Sequence, residues 1–203
     1  MIALVLAAAL ATAPADLVGV YDGGQMEVAA GLELRADGRF RYGLSYGALD
    51  EQAEGSWTVE GDRLLLTTEP AVVPARFLIE DQKPTASGAL EVGVVDPKGR
   101  PLPNIDIAIS YDEGDPDILQ SREEPIAVPL DAKRPPRSIL LAVPVFDVAS
   151  EPFDIDPSKG YGFTFRFEPN GLGTADFQRT PLTIDKGVLL LPRFDRTLRF
   201  ERR

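Results

Sequence analysis

Apolar residues recur at every second position through much of this chain, and glycine or proline interrupts them before a helical period can establish itself. The pattern runs Leu32-Glu33-Leu34, then Phe40-Arg41-Tyr42-Gly43-Leu44, then Trp57-Thr58-Val59. Side chains on an extended strand alternate between faces, so a period of two marks strands with one buried face. The 18 glycines and 18 prolines are spread along the sequence instead of gathered in a tail. Each costs a helix interior about 1–3 kcal/mol, so the chain is predicted to be all-β, with short strands joined by turns. Asp37-Gly38 between two alternating runs marks a hairpin, because glycine accepts the positive φ such a turn needs. Glu60-Gly61-Asp62 ahead of Leu64-Leu65-Leu66 marks a second hairpin. Only residues 46–53 read as a turn or two of helix.

These runs divide the chain in two. Strands near residues 17–21, 25–34, 39–45, 54–60, 63–68 and 75–80 form an expected small antiparallel meander or barrel over residues 16–80. The polar stretch Glu80 to Gly88 holds one proline and no large apolar residue, and residues 81–88 are read as a linker. From residue 89 to 203 a β-sandwich is expected. Its alternating strands carry Leu90, Val92 and Val94, then Ile105, Ile107 and Ile109, then Phe163, Phe165 and Phe167.

The first fifteen residues, MIALVLAAALATAPA, contain no charged side chain. Ile2 to Leu10 form an apolar run shorter than the roughly 20 residues of a spanning helix, and the small-x-small string Ala13-Pro14-Ala15 follows. Residues 1–15 therefore read as a signal peptide, and the protein as periplasmic or secreted, with no membrane span.

The composition removes whole classes of chemistry. The sequence has no histidine and no cysteine, so it offers no imidazole base, thiolate nucleophile, disulfide or nitrogen–sulfur metal site. A net charge of −11 argues against nucleic acid as a partner, since nucleic acid requires a basic footprint. Carboxylate pairs remain as the route to a hydrolase, and among 32 acidic residues none is singled out by sequence.

Gly19-Val20-Tyr21, Leu32-x-Leu34-x-x-Asp37-Gly38-x-Phe40 and Gly55-Ser56-Trp57 together resemble the small β-barrels of the lipocalin-like and copper-resistance-lipoprotein-like kind. Val94-Val95-Asp96-x-x-Gly99-x-Pro101-Leu102-Pro103-x-Ile105 is similar to the opening hairpin of carboxypeptidase-regulatory-like, or transthyretin-like, sandwich domains. The first resemblance implies a barrel, and the second a structural or adhesive module.

Three sets of residues are candidates for function. Tyr21, Phe40, Tyr42 and Trp57 form an aromatic set that either fills a core or lines an apolar pocket in the N-terminal barrel. Asp112, Asp115 and Asp117 lie in a stretch, residues 106–131, where eight carboxylates face one basic residue, Arg122. They read as a solvated acidic loop or as oxygen ligands for calcium; no other cofactor is expected. Arg193, Arg196, Arg199, Arg202 and Arg203 make a basic end, read as a docking strip or as a last strand with Leu198 and Phe200 turned inward. The leading expectation is a non-enzymatic envelope protein that binds a protein or surface partner. A carrier of a small apolar ligand is the first alternative, and a carboxylate-dependent hydrolase the second.

Overall fold

A computed structural model describes residues 16–203; the expected signal peptide lies outside the described residues. The chain is all-β. Eight strands close into one antiparallel barrel: β1 (Gly19–Asp22), β2 (Val28–Leu34), β3 (Arg39–Tyr46), β4 (Leu49–Glu60), β5 (Arg63–Thr68), β15 (Thr180–Asp185), β16 (Val188–Arg193) and β17 (Arg196–Arg202). Closure is made by β17 against β1, where Tyr21 faces Arg202 and Asp22 faces Glu201. The remaining strands build a second compact unit, Val73–Leu172, inserted between β5 and β15.

This corrects the expected domain plan. The barrel is not completed within residues 16–80, and residues 180–202 belong to it instead of to the second unit. The polar residues 81–83 are no linker either, since β6 runs Arg76–Lys83. They are polar because β6 ends its sheet and exposes one face. The chain leaves and re-enters each unit at a single place. In the barrel, the Thr68 N–H donates to the Phe177 carbonyl at 2.7 Å; in the inserted unit, the Gly171 N–H donates to the Val73 carbonyl at 2.9 Å. Adjacent ends of this kind are what allow one folding unit to be spliced into a loop of another.

The barrel follows from the alternation. Leu32, Leu34, Phe40, Tyr42, Leu44, Ala53, Trp57, Leu64, Leu66, Leu182, Leu189, Leu191, Leu198 and Phe200 are all buried, and an eight-stranded barrel is just wide enough for such side chains to fill. Gly38 and Gly61 sit at φ +77° and +62° in their turns, as the two hairpin signals required. Residues 46–53 are not helical. Tyr46 ends β3, a turn at Gly47 and Ala48 follows, and Leu49, Ala53, Gly55 and Trp57 then alternate inward along β4.

Gly31 and Gly43 face each other across β2 and β3. Neither has a positive φ, and a Cβ built on Gly43 meets no atom within 4 Å. Strand glycines cost about 0.5–1 kcal/mol relative to alanine, so Gly43→Ala is expected to raise the midpoint of thermal unfolding by about 1–4 °C. An unchanged or lower midpoint in a melting curve would show that the position is constrained by something other than packing.

In the inserted unit, one sheet has the order β10 (Ile126–Pro129), β7 (Ala89–Val95), β14 (Gly162–Glu168), β6. The other has the order β12 (Val148–Ala149), β11 (Pro136–Val143), β8 (Asp106–Tyr111), β9 (Asp117–Gln120), with β13 (Phe153–Asp154) also on β11. Leu90, Val92 and Val94 share one core with Ile105, Ile107, Ile109, Ile139, Leu141 and the Phe163, Phe165, Phe167 face. The β7–β14 pair is parallel; every other named pair in the unit is antiparallel.

Candidate functional site

The aromatic set splits on inspection of its polar atoms. Tyr21, Phe40 and Trp57 are buried in the barrel; the Tyr21 hydroxyl donates to the Leu17 carbonyl at 2.7 Å and the Trp57 indole N–H to the Arg35 carbonyl at 3.1 Å. Tyr42 differs. It is 4% exposed and its ring stands edge-on to Phe177 at 5.1 Å between centroids, yet its hydroxyl meets no hydrogen-bond partner of good geometry among the described residues. A buried hydroxyl left unpaired costs about 1–3 kcal/mol, and the group nearest to answering it is the Arg193 guanidinium.

What surrounds that hydroxyl is charged. Glu51 occupies an inward position on β4 and Arg193 an inward position at the end of β16, each continuing an otherwise apolar face. Arg193 grips Glu51 with two donors, Nε at 3.1 Å and Nη2 at 2.5 Å. The two side chains are only 25% and 11% exposed. Burial first, and then the nearby Glu51 charge, push the Tyr42 phenol well above its ordinary pKa, while Arg193 opposes them. Tyr42 is therefore a neutral donor across the physiological range. The Arg193 guanidinium lies 5.6 Å from the Phe177 ring centre and 4.7 Å from that of Phe194.

These residues gather at one end of the barrel. In an antiparallel barrel successive connections alternate ends, so the β1–β2, β3–β4 and β16–β17 connections share one end. The Gln25 amide donates to the Thr197 carbonyl at 3.2 Å across that end. Arg196, opening β17, lies 4.7 Å over the Tyr46 ring and donates to its hydroxyl at 3.3 Å. Between Arg193 and Arg196 the two-residue turn puts Phe194 at φ +51° and Asp195 at φ +58°. Asn-Gly suits such a turn; a left-handed phenylalanine costs about 1–2 kcal/mol. Phe194 is nonetheless 41% exposed, and Met26 at the neighbouring tip is 88% exposed.

The acidic candidates are drawn apart by arginines. Asp112 takes two hydrogen bonds from Arg137, at 2.6 and 2.5 Å. Asp117 accepts from the Tyr111 hydroxyl at 2.5 Å and from Arg134 at 3.2 Å, which hold its carboxyl below the ordinary range. Burial, with Asp117 next, pushes the Tyr111 phenol up to about 12. Arg134 also stacks 3.6 Å from the Tyr111 ring centre and donates to the Asp115 carbonyl. No group of three or more carboxylates converges on a cation position among the described residues. The acidic stretch is thus tied down around the start of β9. The basic end is likewise dispersed: Leu198 and Phe200 face inward and Arg199 outward, Arg203 pairs with Asp22 at 2.8 Å, and Arg202 donates to the Asp16 and Val18 carbonyls.

The sheet edges of the inserted unit differ in how they are guarded. β6 carries Arg76, Glu80, Asp81 and Lys83 and a register shift opposite Thr164 and Phe165. β10 is flanked by Pro125 and ends in Pro129. The far side of β11 is covered by β12 and β13. Among the described residues β9 ends its sheet with no strand beyond it, and Ile118 at its centre is 64% exposed. The Ser121 N–H donates to the Ile105 carbonyl at 2.9 Å. In that register residues 117 and 119 complete the ladder with β8, while Ile118 and Gln120 turn their backbone N–H and C=O outward.

Compared with known proteins, the chain matches no protein family, no curated protein and no solved structure. No helix among the described residues is long and apolar enough to cross a membrane.

Proposed function

We propose that this protein is a non-enzymatic binding protein of the cell envelope, and that it captures a partner protein by adding one extended segment of that partner to β9. The observation that carries the reading is the β9 edge, which begins after Pro116 but whose outward backbone groups at Ile118 and Gln120 meet neither a proline nor a covering strand among the described residues, with Ile118 exposed beside them. Open edges are templates for strand pairing, and proteins normally blunt those they do not use. Arg134 and Tyr111 hold the start of β9 rigid through Asp117, which lowers the ordering cost of binding. Ile118 supplies the apolar contact beside the backbone ladder. The apolar leader in residues 1–15 supports the envelope address.

Selection from a library of displayed linear peptides tests this. Peptides of alternating apolar and polar residues are expected to be enriched, with the amide of Ile118 protected from hydrogen exchange in the complex. Ile118→Pro removes an outward N–H without breaking the β8 ladder, and edge strands tolerate proline there. It is expected to abolish binding while leaving the melting curve nearly unchanged. Peptides that bind Ile118→Pro as well as the parent would place the interaction elsewhere, and an unenriched library would refute it.

A further inference from the structure

At this end of the barrel two arginines face each other across one strand pair, with Asp195 in the turn between them. Arg193 and Arg196 stand directly opposite each other on β16 and β17, with both side chains on the same face. Cβ atoms in that relation are about 5 Å apart, and like charges so placed repel. Glu51 answers only one of them, because both of its oxygens are held by Nε and Nη2 of Arg193. Arg196 has no carboxylate partner among the described residues. One of its five donors reaches the Tyr46 hydroxyl, and the flat of its guanidinium rests on the Tyr46 ring.

We infer that this end of the barrel is a binding site for a small aromatic carboxylate, held by Arg196 beside the Glu51-bound Arg193, with its ring against Tyr46 and Phe194. Each part of the ligand answers an observed deficit. A carboxylate matches the planar fork of a guanidinium with two parallel hydrogen bonds, which a point anion does not. It also supplies a carboxylate to Arg196, which pairs with none among the described residues. The apolar body accounts for the exposed Phe194, which the turn keeps on the rim at the cost of a left-handed backbone. Glu51 sets the selectivity from the other side: a dianion would be repelled by it, whereas a single carboxylate is not. The inference stands apart from the β9 edge, so either can fail without the other.

Titrating the full exported chain with benzoate, followed by the 15Nε resonances of its arginines, tests the assignment. A second arm uses N-acetylphenylalanine, whose carboxylate stands in for a peptide C-terminus. Saturable shifts at Arg193 and Arg196 are expected with benzoate, and benzamide, which is isosteric and uncharged, is expected to bind at least tenfold more weakly. A hydrogen bond to a charged group contributes about 1.5–3 kcal/mol, so Arg196→Gln is expected to weaken benzoate about tenfold or more. Tighter binding of N-acetylphenylalanine than of benzoate would assign the site to a chain terminus, and the reverse to a free small molecule; either supports the carboxylate site. Benzamide binding as well as benzoate would overturn the proposal on the parent protein alone, whether or not Arg196→Gln folds. Shifts that never saturate, or that persist undiminished in a folded Arg196→Gln, would overturn it equally.

Discussion

A chain cut after Glu80 is expected to contain no folded barrel, although residues 16–80 include five of its strands. Without β15, β16 and β17, the β1 edge loses the partner that closes the sheet at Tyr21 and Asp22, and β5 loses the pairing that runs from Leu66 to Arg63. The inward faces of Tyr21, Phe40, Tyr42, Leu64 and Leu66 would then meet water in place of Leu182, Leu189, Leu191, Leu198 and Phe200. Exposing five large side chains at about 1.5–3 kcal/mol each is comparable to the whole of the roughly 5–15 kcal/mol that stabilises a typical domain. The opposite deletion is expected to be harmless to the barrel. Removing residues 73–172 and joining the ends by about four glycine and serine residues leaves every barrel strand in place, because the chain re-enters beside the point where it left. The near-ultraviolet circular dichroism of Trp57, the one tryptophan, reads out both chains. A cooperative thermal transition in the 16–80 fragment, or its absence in the joined barrel, would contradict the inserted arrangement.

That discontinuity is the part of the fold that sequence patterning does not carry. Alternation reports which face of a strand is buried, and Asp37-Gly38 reports a turn, because both are local properties. The pairing of β1 with β17 spans almost the whole chain, and no period of two distinguishes β17 from one more strand of the second unit. Polarity misled at residues 81–88 for a related reason: an edge strand and a linker are both solvent-exposed, so β6 and a loop share a composition. The proposed carboxylate site was concealed differently. Glu51 and Arg193 break the apolar alternation at inward positions, after Leu49 and after Leu189 and Leu191. Read as exceptions, they are the signal that was available, since polar residues placed where a core is expected tend to mark function. That the two exceptions meet follows only from closure of the barrel, which brings β4 and β16 within reach of each other at one end. The candidate aromatics were legible as a set, but only the structure separates Tyr42, whose hydroxyl meets no partner of good geometry among the described residues, from Tyr21 and Trp57, whose polar atoms are satisfied.

Phe177→Ala is expected to be the most damaging single truncation in the barrel, even though Phe177 belongs to none of its strands. Its segment fills the gap beside β4 that β5 does not reach: the Gln52 N–H donates to the Gly173 carbonyl and the Ala175 N–H to the Gln52 carbonyl, each at 2.9 Å. Thr68, buried, fastens the segment from the other side, donating its hydroxyl to the Ala175 carbonyl at 2.7 Å and accepting from the Phe177 N–H at 2.9 Å. These bonds aim the Phe177 ring into the barrel against Phe40, at 6.0 Å, and Tyr42, at 5.1 Å. Removing a buried phenylalanine ring costs about 3–5 kcal/mol, and the cost is highest where the surroundings cannot collapse into the space. Here the wall is a closed ladder on both sides, so collapse is limited and the upper part of that range is expected. Phe177→Leu keeps most of the volume and should cost less than about 1.5 kcal/mol. Urea unfolding followed by Trp57 fluorescence measures both, and equal losses for the two variants would mean that the ring does not fill the barrel. The same pair of variants isolates the charged end of the barrel. Phe177 is one of two aromatic rings beneath the Arg193 guanidinium, so Phe177→Ala should loosen the Arg193–Glu51 pair and broaden the arginine 15Nε signal. Phe177→Leu should restore the fold but not the stacking, leaving that signal shifted in a protein of nearly parental stability.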